Sequence, residues 1–404
     1  MRKAACLLAV SLLCSAFVSA EWPQWRGPLR DGKSDATGLL PVWPEGGPKL
    51  LWQVESLGEG FASYSFADGK LFTQGQKDGQ QYLIALDAKT GETAWELRHG
   101  ETYGNNRGNG PRGTPTIDGE RIYALGADGN LICASVSTGQ KIWEVNLLAK
   151  FGGSNIKWGL SESPLIDRGR VIVNAGGPGA SVVALNKNDG SLIWKSESDE
   201  AGYSSAVIAE VGGIRMYVML TGEAAIGLRA DTGELLWRYV KVSNPTANIA
   251  TPIVQGDLVF LSTDYGTGCA LLKLVPANGG IQSEEIYFNR DMRNHYSSSV
   301  LIDGYLYGFS SRILTCMKFE TGEVMWQDRS VGKGQVLYAD GRLYLLSEDG
   351  VVGMAEVNPH EYKEISRFEI SRGNYPTWTL PVIVDGVMYL RDQELLYAYD
   401  VKGQ

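Results

Sequence analysis

Groups of polar and aromatic residues recur along this sequence, each just ahead of a short β-rich run. They are Tyr64; Arg107, Asn109 and Arg112; Trp158 and Glu162; Tyr203; Asn248; Asn294, His295 and Tyr296; Lys333; and Tyr375 with Trp378. Aromatic faces interleaved with a few charged and amide groups suit a concave site for a small polar ligand, a glycan or part of a protein partner. Arg107, Arg112, Trp158, Glu162, Tyr203, Asn248, His295, Lys333 and Trp378 form the candidate ligand-binding set. Taken singly, each of them could equally do no more than solvate a channel mouth or cap a loop. An imidazole titrates near neutral pH, so His295 could exchange a proton with Glu162 across such a site; a hydrogen-bonded channel histidine is the simpler reading.

Other chemistry finds little support. The chain has no His-Glu-x-x-His helix, no phosphate-cradling Gly-Lys-Ser/Thr loop and no Gly-x-Ser-x-Gly elbow. Gly332-Lys333-Gly334 looks superficially like a phosphate loop but reads as a tight turn. Beyond the first twenty residues the cysteines are Cys133, Cys269 and Cys316, widely spaced and odd in number. Buried, inert thiols are expected rather than a disulfide framework or a metal site. No catalytic residue and no metal ligand is assigned.

The elements that must position these residues are repeated. A Gly opens a β-rich run at Gly69, Gly119, Gly169, Gly213, Gly256, Gly304, Gly341 and Gly386, at steps of 37 to 50 residues. Propeller blades of four strands have such a period. A second element is a turn with a Trp four residues after its Gly: Gly91 and Trp95, Gly139 and Trp143, Gly190 and Trp194, Gly233 and Trp237, Gly322 and Trp326. A hairpin turn needs a positive φ, which Gly supplies. The Trp is expected to plug the gap between adjacent blades, its ring nitrogen bonded to a turn carbonyl.

The whole reads as an all-β, eight-bladed β-propeller of four-stranded antiparallel blades. Leu395–Asp400 has the character of a third strand with no fourth after it, and Leu50-Leu51-Trp52-Gln53-Val54 supplies that strand from the other end of the chain. The N-terminal strand thereby closes the last blade and removes the open edges. The propeller is expected over 49–404. Residues 21–48, rich in Trp, Pro and Gly, are expected as an extended strap on the outside or bottom of the ring. In a propeller the loops ahead of each blade's first strand converge on one end of the channel, which would gather the residues named above.

Residues 1–20 carry Arg2 and Lys3, an apolar run from Ala4 to Val18 and small residues at Ser19 and Ala20. They read as a secretory signal peptide cleaved before Glu21, too short for a membrane span, with Cys14 lacking the small residue before it that lipidation requires. An exported protein, periplasmic or extracellular, is expected. The net charge of −9 becomes −11 when the two positive charges of Arg2 and Lys3 are removed. That balance argues against nucleic-acid binding, which needs a basic surface.

The pattern Ala-x-Asp-x-x-Thr-Gly-x-x-x-Trp, nearly intact from Ala85 to Trp95 and again up to Trp237, resembles the repeat of pyrroloquinoline-quinone (PQQ)-like propellers. The resemblance covers the chain from about Trp52 onward. The leading Trp22-Pro-Gln-Trp25-Arg-Gly-Pro28, followed by Asp31-Gly32, is similar to the start of exported bacterial members. That resemblance implies one of two classes: cofactor-free scaffolds such as those of the BamB type in outer-membrane protein assembly, or quinoprotein alcohol dehydrogenases. The dehydrogenases typically bring adjacent cysteines, a Glu, Asn and Asp set for calcium, and sometimes a haem motif. This chain has neither adjacent cysteines nor Cys-x-x-Cys-His. The expectation is a binding or scaffold propeller without a cofactor. The alternatives are a PQQ- and calcium-dependent dehydrogenase of alcohols or sugars, and a carbohydrate-active enzyme.

Overall fold

The computed structural model describes residues 22–403, so the expected signal peptide lies outside the described residues. Eight antiparallel sheets stand around a central axis. Blades 1 to 7 span 65–101, 116–146, 165–196, 207–239, 253–289, 300–328 and 334–369, and blade 8 joins 382–400 to the strand Lys49–Val54. Lys49–Val54 pairs antiparallel with Leu395–Asp400, so the N-terminal strand completes the last blade as expected from sequence. The second and third strands of each blade, such as Arg121–Leu125 and Asn130–Ser135, are buried nearly throughout. Neighbouring blades cover both of their faces, which is why they are rich in apolar residues without alternation. The outer strands, such as Lys141–Asn146, are exposed or half-buried apart from the Trp.

In blades 1, 2, 3 and 6 the turn-and-Trp element locks one blade to the next. Trp95 donates its ring N–H to Val136 O of the following blade at 3.0 Å, and Trp143 does so to Lys187 O at 3.0 Å. Trp194 reaches Ala230 O at 3.1 Å and Trp326 reaches Asn358 O at 2.8 Å. Trp95, Trp143 and Trp194 lie on the next turn's Gly: a Cβ at Gly139 would come within 2.6 Å of Trp95, one at Gly190 within 2.9 Å of Trp143, and one at Gly233 within 2.5 Å of Trp194. Gly is thus required there both for its positive φ and for this close approach. Trp52 repeats the contact across the seam of the ring, onto Ala88 O at 3.1 Å. Blade 5 turns through the degenerate Asn278-Gly279-Gly280 and offers Trp237 no such carbonyl; its indole N–H points instead to Met216 Sδ at 3.4 Å. Cys133 and Cys316 pair across the strands with Trp143 and Trp326, where other blades carry a small Ala85 or Ala184. Both thiols, like Cys269, are free and buried.

The leading segment departs from the expected path. Residues 22–34 run inside the channel and touch every blade. Trp22 pairs with Phe66 of blade 1, and Pro23 O accepts from Ile117 N of blade 2. Arg30 donates to Ser163 O, Pro164 O and Ala206 O, joining blades 3 and 4. Trp25 donates to Thr251 Oγ1 ahead of blade 5, and Arg26 to Ser298 O and Ser299 O ahead of blade 6. Lys33–Ser34 pairs in parallel with the inner strand of blade 7, whose sheet thereby gains a fifth strand, and Ser34 donates to Ile383 O of blade 8. Only after this does the chain pass outward, with Trp43 against Tyr344 and Phe368, to reach the strand Lys49–Val54. The physical reason is that an eight-bladed ring leaves a hole lined by inner-strand carbonyls, and two arginines bring ten N–H donors with which to satisfy them.

Burial lowers the Arg26 and Arg30 pKa values to about 10 and about 9, still well above neutral, so both remain charged. Arg30→Ala should cost about 3–5 kcal/mol, because it orphans the three carbonyls the guanidinium now satisfies. Urea midpoints of the two proteins measure this, and a loss under about 1 kcal/mol would contradict the assigned contacts.

His99, 2 % exposed, has neither ring nitrogen bonded, and burial lowers its pKa to about 4. Its folded pKa therefore lies below the unfolded value near 6.5. Between these values the unfolded chain binds the extra proton, so stability should fall as pH drops from about 6.5 to about 4, by up to about 3 kcal/mol. His99→Gln should flatten that part of the stability profile, as followed by denaturant titration across pH.

Candidate functional site

The blade-entry loops converge at one end of the channel and enclose a cavity of about 540 Å³. Its floor is the plug: Trp25 from residues 22–34, with the hydroxyls of Ser163, Ser205, Thr251 and Ser298 around it. Its walls carry two aromatic groups. On one side Trp158 and Tyr203 lie with ring centroids 5.9 Å apart, and Lys157 Nζ sits 4.9 Å above Trp158. On the other, Trp378 lies 5.0 Å from Phe61 and 5.6 Å from Tyr296. The chain of rings continues through His295 to Tyr265, whose hydroxyl lies 2.8 Å from His295 Nε2.

Of the candidate set, Arg107, Arg112, Trp158, Tyr203, His295, Lys333 and Trp378 are brought together in this cavity. Glu162 and Asn248 are not. Glu162 turns inward from its loop, accepts from Asn174 N, and leaves Oε2 without a partner. Asn248 is consumed by its own loops: Nδ2 donates to Thr221 O and Gly222 O while Oδ1 accepts from Asn244 N. Among the described residues His295 and Glu162 do not bond each other: Nε2 of the one lies against Tyr265 Oη and Oε1 of the other accepts from Asn174 N. Tyr64, Asn109, Asn294 and Tyr375 also stand outside the lining, with Tyr64 wholly buried.

The cavity is strongly cationic for so acidic a chain. Arg107, Arg112, Lys157, Arg312 and Lys333 line it against one carboxylate, Glu348. Glu348 is held by Lys333 Nζ at 2.9 Å and by Trp378 Nε1 at 2.7 Å. Arg112 is clamped by Gly108 O and Gly110 O and lies 5.1 Å from both the Phe61 and Tyr103 rings. Its pKa falls to about 10 through burial, leaving it charged. Burial next to Lys333 lowers the His295 pKa to about 4, so this imidazole is neutral at pH 7 and adds no charge. Phe61, Lys157, Tyr265, Arg312 and Glu348 escaped the sequence reading. Tyr265, Arg312 and Glu348 sit in turns between second and third strands, which open on the same end of the channel as the blade-entry loops. Repeat position was the signal available for those three.

An all-β ring closed by its own N-terminal strand, with a cationic, aromatic cavity at the channel mouth above residues 22–34, defines an eight-bladed β-propeller. The family model described as "Outer membrane protein assembly factor BamB" matches residues 42–161 and 80–328, and the chain belongs to this PQQ-type propeller family. Relatives bearing that name are 26% identical over 270 residues in Burkholderia pseudomallei (60% of this chain, 64% of the relative) and 21% identical over 276 residues in Shewanella oneidensis (64% and 66%). The chain thus spans about two thirds of the length of the curated relatives it matches. Among solved structures, BamB from Moraxella catarrhalis aligns with a TM-score of 0.64 at 13% identity, over 87% of this chain and 99% of that one. Quinohemoprotein alcohol dehydrogenase from Comamonas testosteroni aligns with a TM-score of 0.67 at 12% identity, over 95% and 81%. At such identities these two show a shared fold and no more. No helix among the described residues is long and apolar enough to cross a membrane.

Burial raises the Glu162 pKa to about 8, so the group is a neutral acid at pH 7. The folded chain then holds a proton that the unfolded chain releases above about pH 4.5, and stability is lost as pH rises from there to about 8. Glu162→Gln removes that loss. Its stability relative to the parent should therefore rise between pH 5 and pH 8.5, read from paired urea titrations; a constant difference would contradict the buried neutral acid.

Proposed function

We propose that this protein is an exported binding scaffold that engages a protein partner or a polar ligand through the channel-mouth cavity. The observation that carries the reading is the charge of that cavity: five cationic side chains and one already neutralised carboxylate, on a chain whose overall charge is −9. Such a reversal of sign in a concave site steers acidic groups toward it. Family membership supports a scaffold or protein-binding role, and the relatives' name places them in outer-membrane protein assembly, a task of the cell envelope that suits an exported chain.

The dehydrogenase alternative asks for calcium beside the quinone. Calcium takes six to eight oxygen ligands, several of them carboxylates. The cavity offers Glu348 alone, tied to Lys333 and Trp378 and surrounded by cations, and no cluster of three or more His, Cys, Asp or Glu exists among the described residues. These residues do not fit the ion, and the buried, separate Cys133, Cys269 and Cys316 do not supply adjacent cysteines.

A photo-crosslinking residue at exposed Tyr265 or Arg312 on the rim should capture a discrete envelope protein in cells that make this chain. The same residue at Leu192, on an outer strand, should not. Loss of the rim product on Arg107→Glu would tie capture to charge. Dye reduction by alcohols or sugars with PQQ and calcium in excess, and no rim-specific product, would contradict the scaffold reading.

A further inference from the structure

The cavity floor has a property that the scaffold reading does not use. Ser163 Oγ accepts Thr114 N, Ser205 Oγ accepts Ser163 N and Ser298 Oγ accepts Thr251 N, each at 2.9 Å; Thr251 Oγ1 accepts the Trp25 indole N–H at 3.0 Å. All four side chains are buried, at 2–5 % exposure, and all four line the cavity. None of these hydroxyls donates to a protein acceptor among the described residues. A hydroxyl carries one donor and two acceptor sites. With an acceptor site already taken by an N–H, what each retains for a ligand is chiefly its O–H. Four blades therefore present a floor of hydrogen-bond donors fixed by backbone and indole contacts.

Above that floor stand the cations. Among the described residues Arg107, Arg112, Lys157 and Arg312 line the cavity without forming an ion pair. Donors below and positive charge above make a seat for an oxyanion, and charge-assisted hydrogen bonds are the stronger kind. The walls ask for something else. The Trp158–Tyr203 pair and the Phe61–Trp378–Tyr296 group present ring faces on opposite sides of a space whose size is typical of small-molecule sites. Flat apolar faces on both sides suit the C–H faces of a ring. An extended acidic peptide would gain its affinity from main-chain pairing at a free strand edge. Here the walls are side chains of loops and turns.

We infer that the cavity holds a sugar ring bearing an oxyanion, a hexuronate or a sulfated hexose, with the anion on the hydroxyl floor and the ring between the aromatic walls. This rests on the cavity being the protein's binding surface. The sugar is the end of an acidic glycan, or the glycan carried by a partner.

Isothermal titration of the mature chain tests it with trigalacturonate, glucose 6-sulfate, maltotriose and tetraglutamate. Saturable binding is expected for the uronate or the sulfated sugar; binding by one and not the other identifies which anion the floor takes. Maltotriose should bind at least about tenfold more weakly. Affinity for the acidic sugar should fall on going from about 20 to about 200 mM salt, as screening grows. Lys157→Glu and Arg312→Glu, both at exposed positions, should each weaken it about tenfold or more with unchanged melting temperature. Equal binding of maltotriose, no binding of either acidic sugar, or charge-dependent binding of tetraglutamate alone would overturn the inference. Rim-specific crosslinking that persists in those cases would leave the scaffold reading intact, and its loss as well would sink both.

Discussion

Two arginines that form no ion pair among the described residues hold the centre of this molecule, bonded instead to backbone carbonyls. An eight-bladed ring cannot close its own axis, because the inner strands converge without meeting and their ends present carbonyl groups to the channel. Arg26 and Arg30 satisfy five such groups from within: Arg26 reaches Ser298 O and Ser299 O besides Arg30 O and Asp31 O of its own segment, while Arg30 reaches Ser163 O, Pro164 O and Ala206 O besides Gln24 Oε1. A buried guanidinium is costly unless its donors are engaged. Here nearly all are, and a charge that would destabilise an apolar core becomes a cross-brace among blades 3, 4 and 6. The same stretch of chain then continues to Lys49–Val54, which completes blade 8. One N-terminal segment therefore fills the axis and closes the circumference.

The cavity at the channel mouth inherits its shape from this arrangement. Without Trp25 and the rest of the leading segment, the channel mouth would open into the shaft of the ring. With them it is a shallow, floored cavity. The lining comes from loops and turns of all eight blades, each contributing between one and four residues, and the Trp contacts between blades hold those loops relative to one another. A cavity of this kind needs no side chain of unusual reactivity. It follows from eight copies of one supersecondary unit, differing at their loop ends and alike in their cores.

Most of the fold could be read from sequence because it is local and repeated. A Gly four residues before a Trp fixes a turn, a strand and a contact with the next blade; eight Gly-led runs count the blades. The closing strand was readable because a blade short of one strand at Asp400 has a spare at Lys49. The path of residues 22–34 was not. Its partners lie up to 349 residues away in sequence, as with Ser34 and Ile383, and depend on a channel that exists only once the ring is complete. The site was readable to the level of loops. Trp158 and Glu162 occupy the same loop, yet one lines the cavity and the other is buried against Asn174. Which way a loop side chain turns is decided by the turn's own geometry, and composition is silent on that. Asn248 fell to the same limit, since a buried loop amide is most useful to its own backbone.

Hydrogen exchange of the backbone amides of residues 22–34, followed by mass spectrometry on the purified protein, tests most directly whether the leading segment is built into the axis. Amides seated in the channel should exchange as slowly as those of the second and third blade strands, through global unfolding alone. Exchange within seconds at these residues, with the blade cores still protected, would mean that the segment lies outside the ring and that the cavity has no such floor.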